Sequence, residues 1–316
     1  MKLLRSLNSG ALPRGGCALT IGNFDAVHRG HRAMLRRLRE VARARNLPAV
    51  VMTFDPPPQD YFRPEAAPPR LTTAATRFFA LRECGADFML SVKFNRELAQ
   101  TGAEEFVREH IAEKLRVKFL LVGDDFRFGA RRAGDFQMLR RMAAECGYEV
   151  ELFGEVGEHG RRISSTRVRE LLAAGDLPGA AQLLGRNYTH AGRVMRGARR
   201  GREWGYPTIN LAIRHRAALA GIFAVRVAGL RDDGGAIDGV ASLGRRPSVR
   251  AAKGAPAVLL EAHLFDYDAD AYGKRVCVEF VGKIRDEEVF DDYQKLIERI
   301  GEDARIAKEI LRAQKT

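Results

Sequence analysis

The sequence predicts two domains: an α/β domain built on a parallel sheet, then an antiparallel β-barrel with a terminal helix. Three observations lead to this prediction. The length of 316 residues suits two ordinary domains better than one. Apolar runs alternate with amphipathic helical patterns in the first half. From about residue 186, short β-rich runs separated by glycine and aspartate replace that pattern. We expect the first domain over residues 1–186 and the second over 187–316.

The first half shows the alternation of strand and helix that is typical of a parallel sheet covered on both faces. Strands are expected at residues 17–22, 49–54, 88–92, 119–122 and 148–153, and helices at 31–45, 73–84, 103–115 and 134–146. A proline-rich loop is expected over residues 55–70. Ligands bind such sheets at the carboxyl ends of the strands, so the residues that follow each strand are candidates for a site.

The second half begins after two short helices, expected at residues 166–174 and 178–184. Strands are expected at 189–195, 222–227, 237–243, 258–265 and 275–281, and an amphipathic helix at 290–312. Short strands at this spacing indicate an antiparallel barrel or sandwich.

Composition narrows the class of protein. Hydrophobic residues make up 46% of the chain, which is enough for packed cores and excludes intrinsic disorder. The net charge of +13 favours an anionic ligand. This charge is spread over both halves, and no nucleic-acid-binding module is recognisable. We expect neither nucleic acid nor a membrane as a partner, and keep a nucleic-acid-binding protein as the rival hypothesis from another class.

The cysteines and apolar runs indicate a compartment. Cys17, Cys84, Cys146 and Cys277 are far apart and form no Cys-x-x-Cys motif, which suits small buried residues in a reducing cytosol. The N-terminal apolar run is too short for a signal peptide, and no stretch approaches the roughly 20 apolar residues that span a bilayer. We expect a cytoplasmic protein, and the sequence does not predict its oligomeric state.

The most specific motif of the first half is His-x-Gly-His at residues 28–31, between the first strand and the first helix. Gly30 lets the backbone approach a ligand, and the start of a helix offers N–H groups to a phosphate. His28 and His31 are three residues apart, so both can face the same phosphate. Capping or surface histidines and a metal-binding pair are the alternatives.

Two later segments place charge and hydroxyls near the same expected edge. Residues 121–129 put two carboxylates, an arginine and two aromatics just past a strand, and a tight turn is the alternative. Residues 164–166 supply three hydroxyls at a helix start, between Arg162 and Arg169. An ordinary N-cap needs only one hydroxyl, so this pattern favours a triphosphate site.

These motifs, with Thr-Phe-Asp-Pro at residues 53–56, resemble the bacterial bifunctional riboflavin kinase/FAD synthetases over essentially the whole chain. The resemblance implies a Rossmann-like nucleotidylyltransferase domain in which FMN attacks the α-phosphorus of ATP and pyrophosphate leaves. The attacking phosphate is already ionised, so His28 and His31 are expected to stabilise the α-phosphate and not to act as bases. The ATP-binding residues implied for this domain are Gly22, Asn23, Phe24, Gly30, Asp125, Arg162, Ser164, Ser165, Thr166 and Arg169.

Two positions depart from the family pattern. Ala26 stands where the family usually has glycine, and alanine is penalised if that position needs a positive φ. Pro57 stands where the family usually has histidine, so a possible phosphate donor is lost and the loop is stiffened. A riboflavin kinase with a weakened adenylyltransferase site is therefore the alternative hypothesis.

The second half carries two motifs for phosphate and metal. Residues 197–205 are rich in glycine and arginine, as in phosphate-binding loops, although a basic surface loop is the alternative. Pro-Thr-Ile-Asn at 207–210 resembles the Pro-Thr-Ala-Asn motif of riboflavin kinases. Thr208 and Asn210 present oxygens two residues apart on a strand, which suits Mg²⁺; turn chemistry is the alternative. The residues expected to bind ATP here are Gly197, Gly201, Arg202, Thr208 and Asn210.

Glu261 is the candidate general base of the second half. It lies in an alternating strand, where a solvent-facing glutamate is the alternative. Attack by the ribityl hydroxyl of riboflavin benefits from a positioned base, and the resemblance gives that role to Glu261. Arg285 is expected to contact flavin, with a surface ion pair as the alternative, and His263 is expected to be structural. The implied substrates are riboflavin, FMN and ATP, with Mg²⁺ as the cofactor.

Overall fold

The computed structural model describes residues 1–7, 10, 12–158, 161–197, 205–213, 215–244 and 258–314. Two units of contacting residues are present. The first comprises Met1–Pro68 and Arg77–Ser164, and the second Pro69–Thr76 and Ser165–Thr316. The predicted fold class, a parallel α/β sheet followed by an antiparallel barrel and a terminal helix, is confirmed. Within the described ranges, no helix is both long enough and apolar enough to cross a membrane.

Six parallel strands form the sheet of the first unit, in the order β1-β4-β3-β2-β5-β6. The strands are β1 (Lys2–Leu4), β2 (Cys17–Ile21), β3 (Ala49–Asp55), β4 (Phe88–Lys93), β5 (Val117–Gly123) and β6 (Glu149–Phe153). Every residue of β2 is buried, as an apolar strand covered on both faces requires. The strand order reverses between β2 and β5, and such a switch point is where α/β sheets bind ligands.

The helices of the first unit differ from the prediction in several places, among them a helix at residues 96–100 that was not predicted. They are α1 (Arg29–Ala44), α2 (Pro58–Phe62), α3 (Ala74–Glu83), α4 (Arg96–Gln100), α5 (Ala103–Glu105) and α6 (Phe136–Cys146). The predicted α-helix at 103–115 is mostly a π-helix, Phe106–Lys114. The predicted loop at 55–70 contains α2 and a 3-10 turn, Pro64–Ala66. Proline starts both, because its fixed φ suits the first position of a helix. A short hairpin, β7 (Gly157–Glu158) and β8 (Arg161–Arg162), follows β6.

The second unit is an antiparallel barrel, with three helices in the part of it that the structure describes. Helices α7 (Ser165–Ala173) and α8 (Leu177–Leu184) precede it, and α9 (Tyr293–Ala313) follows it. The strands run in the order β10-β13-β12-β11-β14-β9, and a bridge between Met195 and Asn210 joins the two ends of this order. The strands are β9 (Thr189–Arg193), β10 (Thr208–Ile213), β11 (Gly221–Ala228), β12 (Ile237–Gly244), β13 (Val258–Leu264) and β14 (Arg275–Arg285).

Side chains alternate between the two faces of the barrel. The inner face includes Phe223 and Phe280, which are fully buried and meet edge to face. On the outer face, Ile222, Ala224 and Val240 pack with α9, whose contacts are Ala304, Ala307 and Leu311. The terminal helix therefore covers part of the outer surface of the barrel, and the rest of that surface is open to a site.

Candidate functional site

The loop between β2 and α1 lies at the switch point of the parallel sheet. Three of its residues have φ in the left-handed region, although none is glycine: Phe24 at 47°, Ala26 at 76° and Val27 at 47°. Such backbone persists only where the surrounding structure holds it, and it is frequent at ligand sites. The condition under which alanine is penalised at position 26 is therefore met, because the loop does need a positive φ there.

His28 and His31 stack on one another at the end of this loop. Their ring centroids are 3.7 Å apart and the rings are 14° from parallel. His28 also caps α1, since its Nδ1 accepts a hydrogen bond of 3.2 Å from the backbone N–H of His31. That bond places the proton of a neutral His28 on Nε2. Burial, and secondly the neighbouring His28, hold the pKa of His31 well below its ordinary value. His31 is therefore neutral near pH 7.

Gly30 lets the two histidines and a later segment approach each other. A Cβ at this position would lie 3.1 Å from the ring of His28 and 3.5 Å from the carbonyl oxygen of Ile163. Glycine is therefore favoured here by packing within the protein, and the approach of a ligand to Gly30 stays a prediction. Since Ile163 stands between Arg162 and Ser164, these two predicted ATP-binding residues are brought next to the His-x-Gly-His motif.

Three carboxylates surround Arg162, two that follow β5 and one that follows β6. Its guanidinium lies 3.0 Å from Asp124, 3.3 Å from Asp125 and 2.8 Å from Glu155. The structure therefore brings the predicted residues Asp125 and Arg162 together as a partly exposed ion-pair cluster. A bound triphosphate would compete with these carboxylates for the guanidinium.

The three predicted hydroxyls lie at a helix start, as expected. Helix α7 begins at Ser165, directly after Ser164, and Thr166 lies in its first turn. Arg169, in the same helix, donates from Nε to the carbonyl of Pro69 at 2.6 Å. Ser164 belongs to the first unit of the chain and the other three residues to the second.

No group of three or more His, Cys, Asp and Glu side chains that could hold a metal ion is found among the described residues. The capping of α1 by His28 is observed, and a phosphate-binding role for His28 and His31 stays a prediction.

A cleft of about 370 Å³ in the barrel unit contains the other set of predicted residues: Gly197, Thr208 and Asn210. Asn210 is 5% exposed, and its Oδ1 is buried without a hydrogen-bond partner among the described residues. A Cβ on Gly197 would lie 2.6 Å from the Asn210 amide, so only glycine fits there without a shift. Two further predicted residues, Gly201 and Arg202, lie outside the described residues.

Glu261 lies beside this cleft on the outer face of the barrel. It pairs across strands with Asn210 of β10 on one side and with Ser242 of β12 on the other. Residues directly opposite one another share a face, so the carboxylate and the Asn210 amide are neighbours. The next pair on this face is Thr208 with His263. The proposed base is thus adjacent to the two oxygens proposed for the metal.

Comparisons with known proteins agree with both halves of this geometry. Family models described as FAD synthetase and riboflavin kinase match residues 12–167 and 184–311. The bifunctional riboflavin kinase/FMN adenylyltransferase of Escherichia coli (strain K12) is 43% identical over 311 residues, covering 98% of this chain and 97% of its own. That of Haemophilus influenzae is 40% identical over 309 residues, covering 98% of each. The chain belongs to the bifunctional riboflavin kinase/FMN adenylyltransferase family.

A solved structure supports the fold over the full length. The crystal structure described as a macrolide-efflux protein from Streptococcus pneumoniae has a TM-score of 0.77 and 26% identity, and covers 97% of this chain and 98% of its own. That description concerns the streptococcal protein.

The family resemblance predicted from the motifs is confirmed. Both family domains are present, so the comparisons support the bifunctional hypothesis and not the kinase-only alternative.

Arg285, the residue predicted to contact flavin in this family, is held by a buried carboxylate. Its Nε and Nη2 donate to Asp303 of α9 at 2.9 and 2.7 Å, and the two side chains are 12% and 4% exposed. This bidentate pair ties α9 to β14. A contact between Arg285 and flavin stays a prediction.

Sequence reasoning missed one cluster of aromatic residues at the ligand edge of the sheet. Phe54, Tyr61, Phe62 and Phe94 meet edge to face at centroid distances of 5.3–5.7 Å. They lie at the carboxyl ends of β3 and β4 and on α2, and Tyr61 and Phe62 are 38% and 60% exposed. Exposed aromatic rings at the ligand edge of a sheet could stack on a planar ligand. Only tertiary structure joins these positions, so no local pattern could have revealed them.

Proposed function

We propose that this chain makes FAD from riboflavin in two ATP-dependent steps, one in each domain. The barrel phosphorylates riboflavin to FMN, and the α/β domain transfers AMP from a second ATP to FMN. The alignment of Glu261 with Asn210 across neighbouring strands carries the kinase assignment. We place the domain boundary at 186/187, between the end of α8 at Leu184 and the start of β9 at Thr189.

In the kinase step, Glu261 takes the proton of the ribityl 5′-hydroxyl as that oxygen attacks the γ-phosphorus of ATP. The new O–P bond forms, the bond from the γ-phosphorus to the bridging oxygen breaks, and ADP leaves. Gly197 lets the backbone approach the phosphates beside Asn210. The cleft also has carboxylates and phenols that the sequence analysis did not single out: Tyr267, Asp268, Asp270 and Tyr272.

The residues at the cleft fit Mg²⁺. Thr208 and Asn210 offer neutral oxygens on one face of β10, and the buried Asn210 Oδ1 has no partner among the described residues. A hard cation accepts such ligands and takes the rest from water and phosphate. When bound, the ion would neutralise charge on the phosphates of ATP.

In the adenylyl transfer step, an oxygen of the FMN phosphate attacks the α-phosphorus of ATP, and the bond to the leaving pyrophosphate breaks. The attacking group is already anionic, so the protein supplies position and charge neutralisation. His28 presents Nε2–H, because its Nδ1 is occupied as the cap of α1. His31 lies parallel to it and can donate to a neighbouring phosphate oxygen. Arg162, Ser164, Ser165, Thr166 and Arg169 would hold the β- and γ-phosphates.

The aromatic group Phe54, Tyr61, Phe62 and Phe94 would stack on the flavin ring of FMN in the adenylyltransferase domain. Its exposed rings lie at the carboxyl edge of the sheet, and aromatic stacking suits the planar isoalloxazine. Pro57, the departure from the family, is the cap residue of α2, which carries Tyr61 and Phe62. Pro57 therefore lies at the start of the helix that presents Tyr61 and Phe62, and its side chain offers no hydrogen-bond donor to a phosphate.

We further propose that the protein works in the cytoplasm on small molecules, without nucleic acid or membrane as partners. None of the four cysteines forms a disulfide, which suits a reducing compartment.

The test is an assay with riboflavin, ATP and Mg²⁺ in which FMN and FAD are resolved over time. FMN should appear first and FAD should follow as FMN is consumed. FMN that persists without FAD at high enzyme concentration would leave only the kinase, and no conversion of riboflavin would contradict the whole proposal. Salt-sensitive binding to nucleic acid without flavin turnover would favour the rival class.

A further inference from the structure

Arg77 is a buried cation that contacts the ATP-binding loop of the α/β domain. It lies on α3 and is only 5% exposed. Its Nη1 donates a hydrogen bond of 2.9 Å to the carbonyl oxygen of Asn23. No motif singled it out, because an arginine in the middle of a helix is usually a surface residue.

A second buried donor reaches the same oxygen. Thr53, at the carboxyl end of β3, is fully buried, and its Oγ1 donates to the Asn23 carbonyl at 3.3 Å. Two side chains from separate elements therefore converge on one backbone oxygen. Such convergence fixes the position of a peptide group more firmly than either bond alone.

The position of Asn23 gives this contact its importance. The last backbone bond that ties the strand end to the sheet is from Gly22 N–H to Met52 O, at 3.0 Å, so Asn23 is the first residue beyond it. The left-handed residues Phe24, Ala26 and Val27 follow, and His28 comes next. A strained segment persists only where its surroundings determine its conformation. The Asn23 carbonyl is one point at which buried side chains do so.

We infer that Arg77 is a positioning residue for adenylyl transfer, acting through the backbone of Asn23. Arginine keeps its charge and offers donors in a rigid plane, so it can hold a carbonyl from inside the core. Its removal would let the loop relax and move His28 and His31 from the α-phosphate. Arg77 itself does not touch ATP in this account. The inference rests on the proposed adenylyltransferase function.

The test compares Arg77→Met, Arg77→Lys and Thr53→Val in steady-state conversion of FMN to FAD. Arg77→Met should raise the KM for ATP roughly tenfold or more, as expected for the loss of a hydrogen bond from a charged donor. Arg77→Lys keeps one donor and should recover much of this loss. Thr53→Val should change the KM in the same direction by less. Riboflavin phosphorylation by the same chain is the internal control and should keep its kcat and KM.

Two results would overturn the inference. One is an unchanged KM for ATP in both Arg77 variants. The other is an equal loss of both activities with a lowered Tm, which would make Arg77 only a core residue. If Arg77→Met does not fold, Thr53→Val still decides, because it removes a donor to the same carbonyl without removing buried volume, and an unchanged KM for ATP in it would overturn the inference. If the wild-type chain makes no FAD, the proposed function fails, and this is seen before any variant is compared.

Discussion

The imidazole rings of His28 and His31 lie face to face, with centroids 3.7 Å apart, at the start of α1. Two imidazolium ions in this arrangement would repel each other, and burial adds to the cost of charging His31. The pKa of His31 is accordingly held well below its ordinary value. The pair therefore carries at most one positive charge at neutral pH, and the charge of a bound triphosphate would change this balance.

ATP binding should take up protons at His31. The negative charge of a nearby phosphate favours the imidazolium form and so raises the pKa of His31. At a pH between its pKa without ATP and its pKa with ATP, His31 should therefore take up as much as about one proton when ATP binds. Calorimetry at pH 6.5 in buffers of different ionisation enthalpy measures this uptake. His31→Gln should lose it, whereas His110→Gln should not, although the pKa of buried His110 is also lowered. Equal uptake in wild type and His31→Gln would contradict the prediction.

Ala26→Gly should not destabilise the α/β domain. Ala26 has a φ of 76°, which costs an alanine about 1 kcal/mol relative to glycine. Its methyl is buried, so the gain is partly offset. Ala18 is an equally buried alanine within β2, and Ala18→Gly should cost about 1 kcal/mol. Urea unfolding compares the stabilities of the two variants, and an FMN adenylylation assay then compares their activities. An equal loss of stability in both variants would show that the left-handed backbone is not strained.

The barrel should lose stability in acid because of His190. This residue is 4% exposed, and burial, with His215 nearby, lowers its pKa to about 4. Between pH 6.5 and 4, His190 is protonated in the unfolded chain but stays neutral in the folded chain. The free energy of unfolding therefore falls as the pH drops through this range. The contribution amounts to about 3 kcal/mol at about 1.4 kcal/mol per pH unit. Above pH 6.5 it is constant.

Urea midpoints between pH 4.5 and 7.5 check this prediction. His190→Leu should flatten the pH dependence of barrel unfolding. An unaltered slope in His190→Leu would contradict the assignment.

Asp303→Asn should weaken the attachment of α9. It removes the closest charge partner of the buried Arg285 guanidinium and leaves only the more distant Glu288, at 3.8 Å, among its described ion pairs, so the loss should be about 3 kcal/mol. Glu309→Gln breaks the exposed pair with Arg305 on the same helix and should cost under about 1 kcal/mol. The free energy of unfolding of both variants measures how firmly α9 is attached. The KM for riboflavin, measured on the same variants, shows whether the flavin site is also affected. Equal stabilities would indicate that the pair is not an anchor.

Local patterns predicted the parts of the site that lie on one segment. The His-x-Gly-His motif joins a buried strand to an amphipathic helix, so His28 and His31 could be placed from sequence. The strand β1 (Lys2–Leu4) was missed because three residues show no periodicity. The π-helix Phe106–Lys114 has the same apolar spacing as an α-helix, so only its backbone bonds distinguish it.

Contacts between distant segments could not be predicted. Asn210 and Glu261 are joined by strand register, which the chain sets over a separation of 51 residues. Arg77 reaches Asn23 from a helix whose apolar face gives no sign of a buried charge. For Arg285 the sequence suggested a surface ion pair as the alternative to a flavin contact. The structure instead shows a buried pair with Asp303, because sequence does not reveal how deeply α9 buries these side chains.

The most direct test of two separate active sites is a complementary pair of variants. Glu261→Gln should slow riboflavin phosphorylation by roughly 100-fold or more, as for the loss of a general base, while FMN added directly is still converted to FAD. His28→Asn combined with His31→Asn should give the reverse, with FMN accumulating and FAD formation lost. Measurement of both products for both variants decides the matter. Loss of both activities in either variant, with the fold intact, would contradict the account.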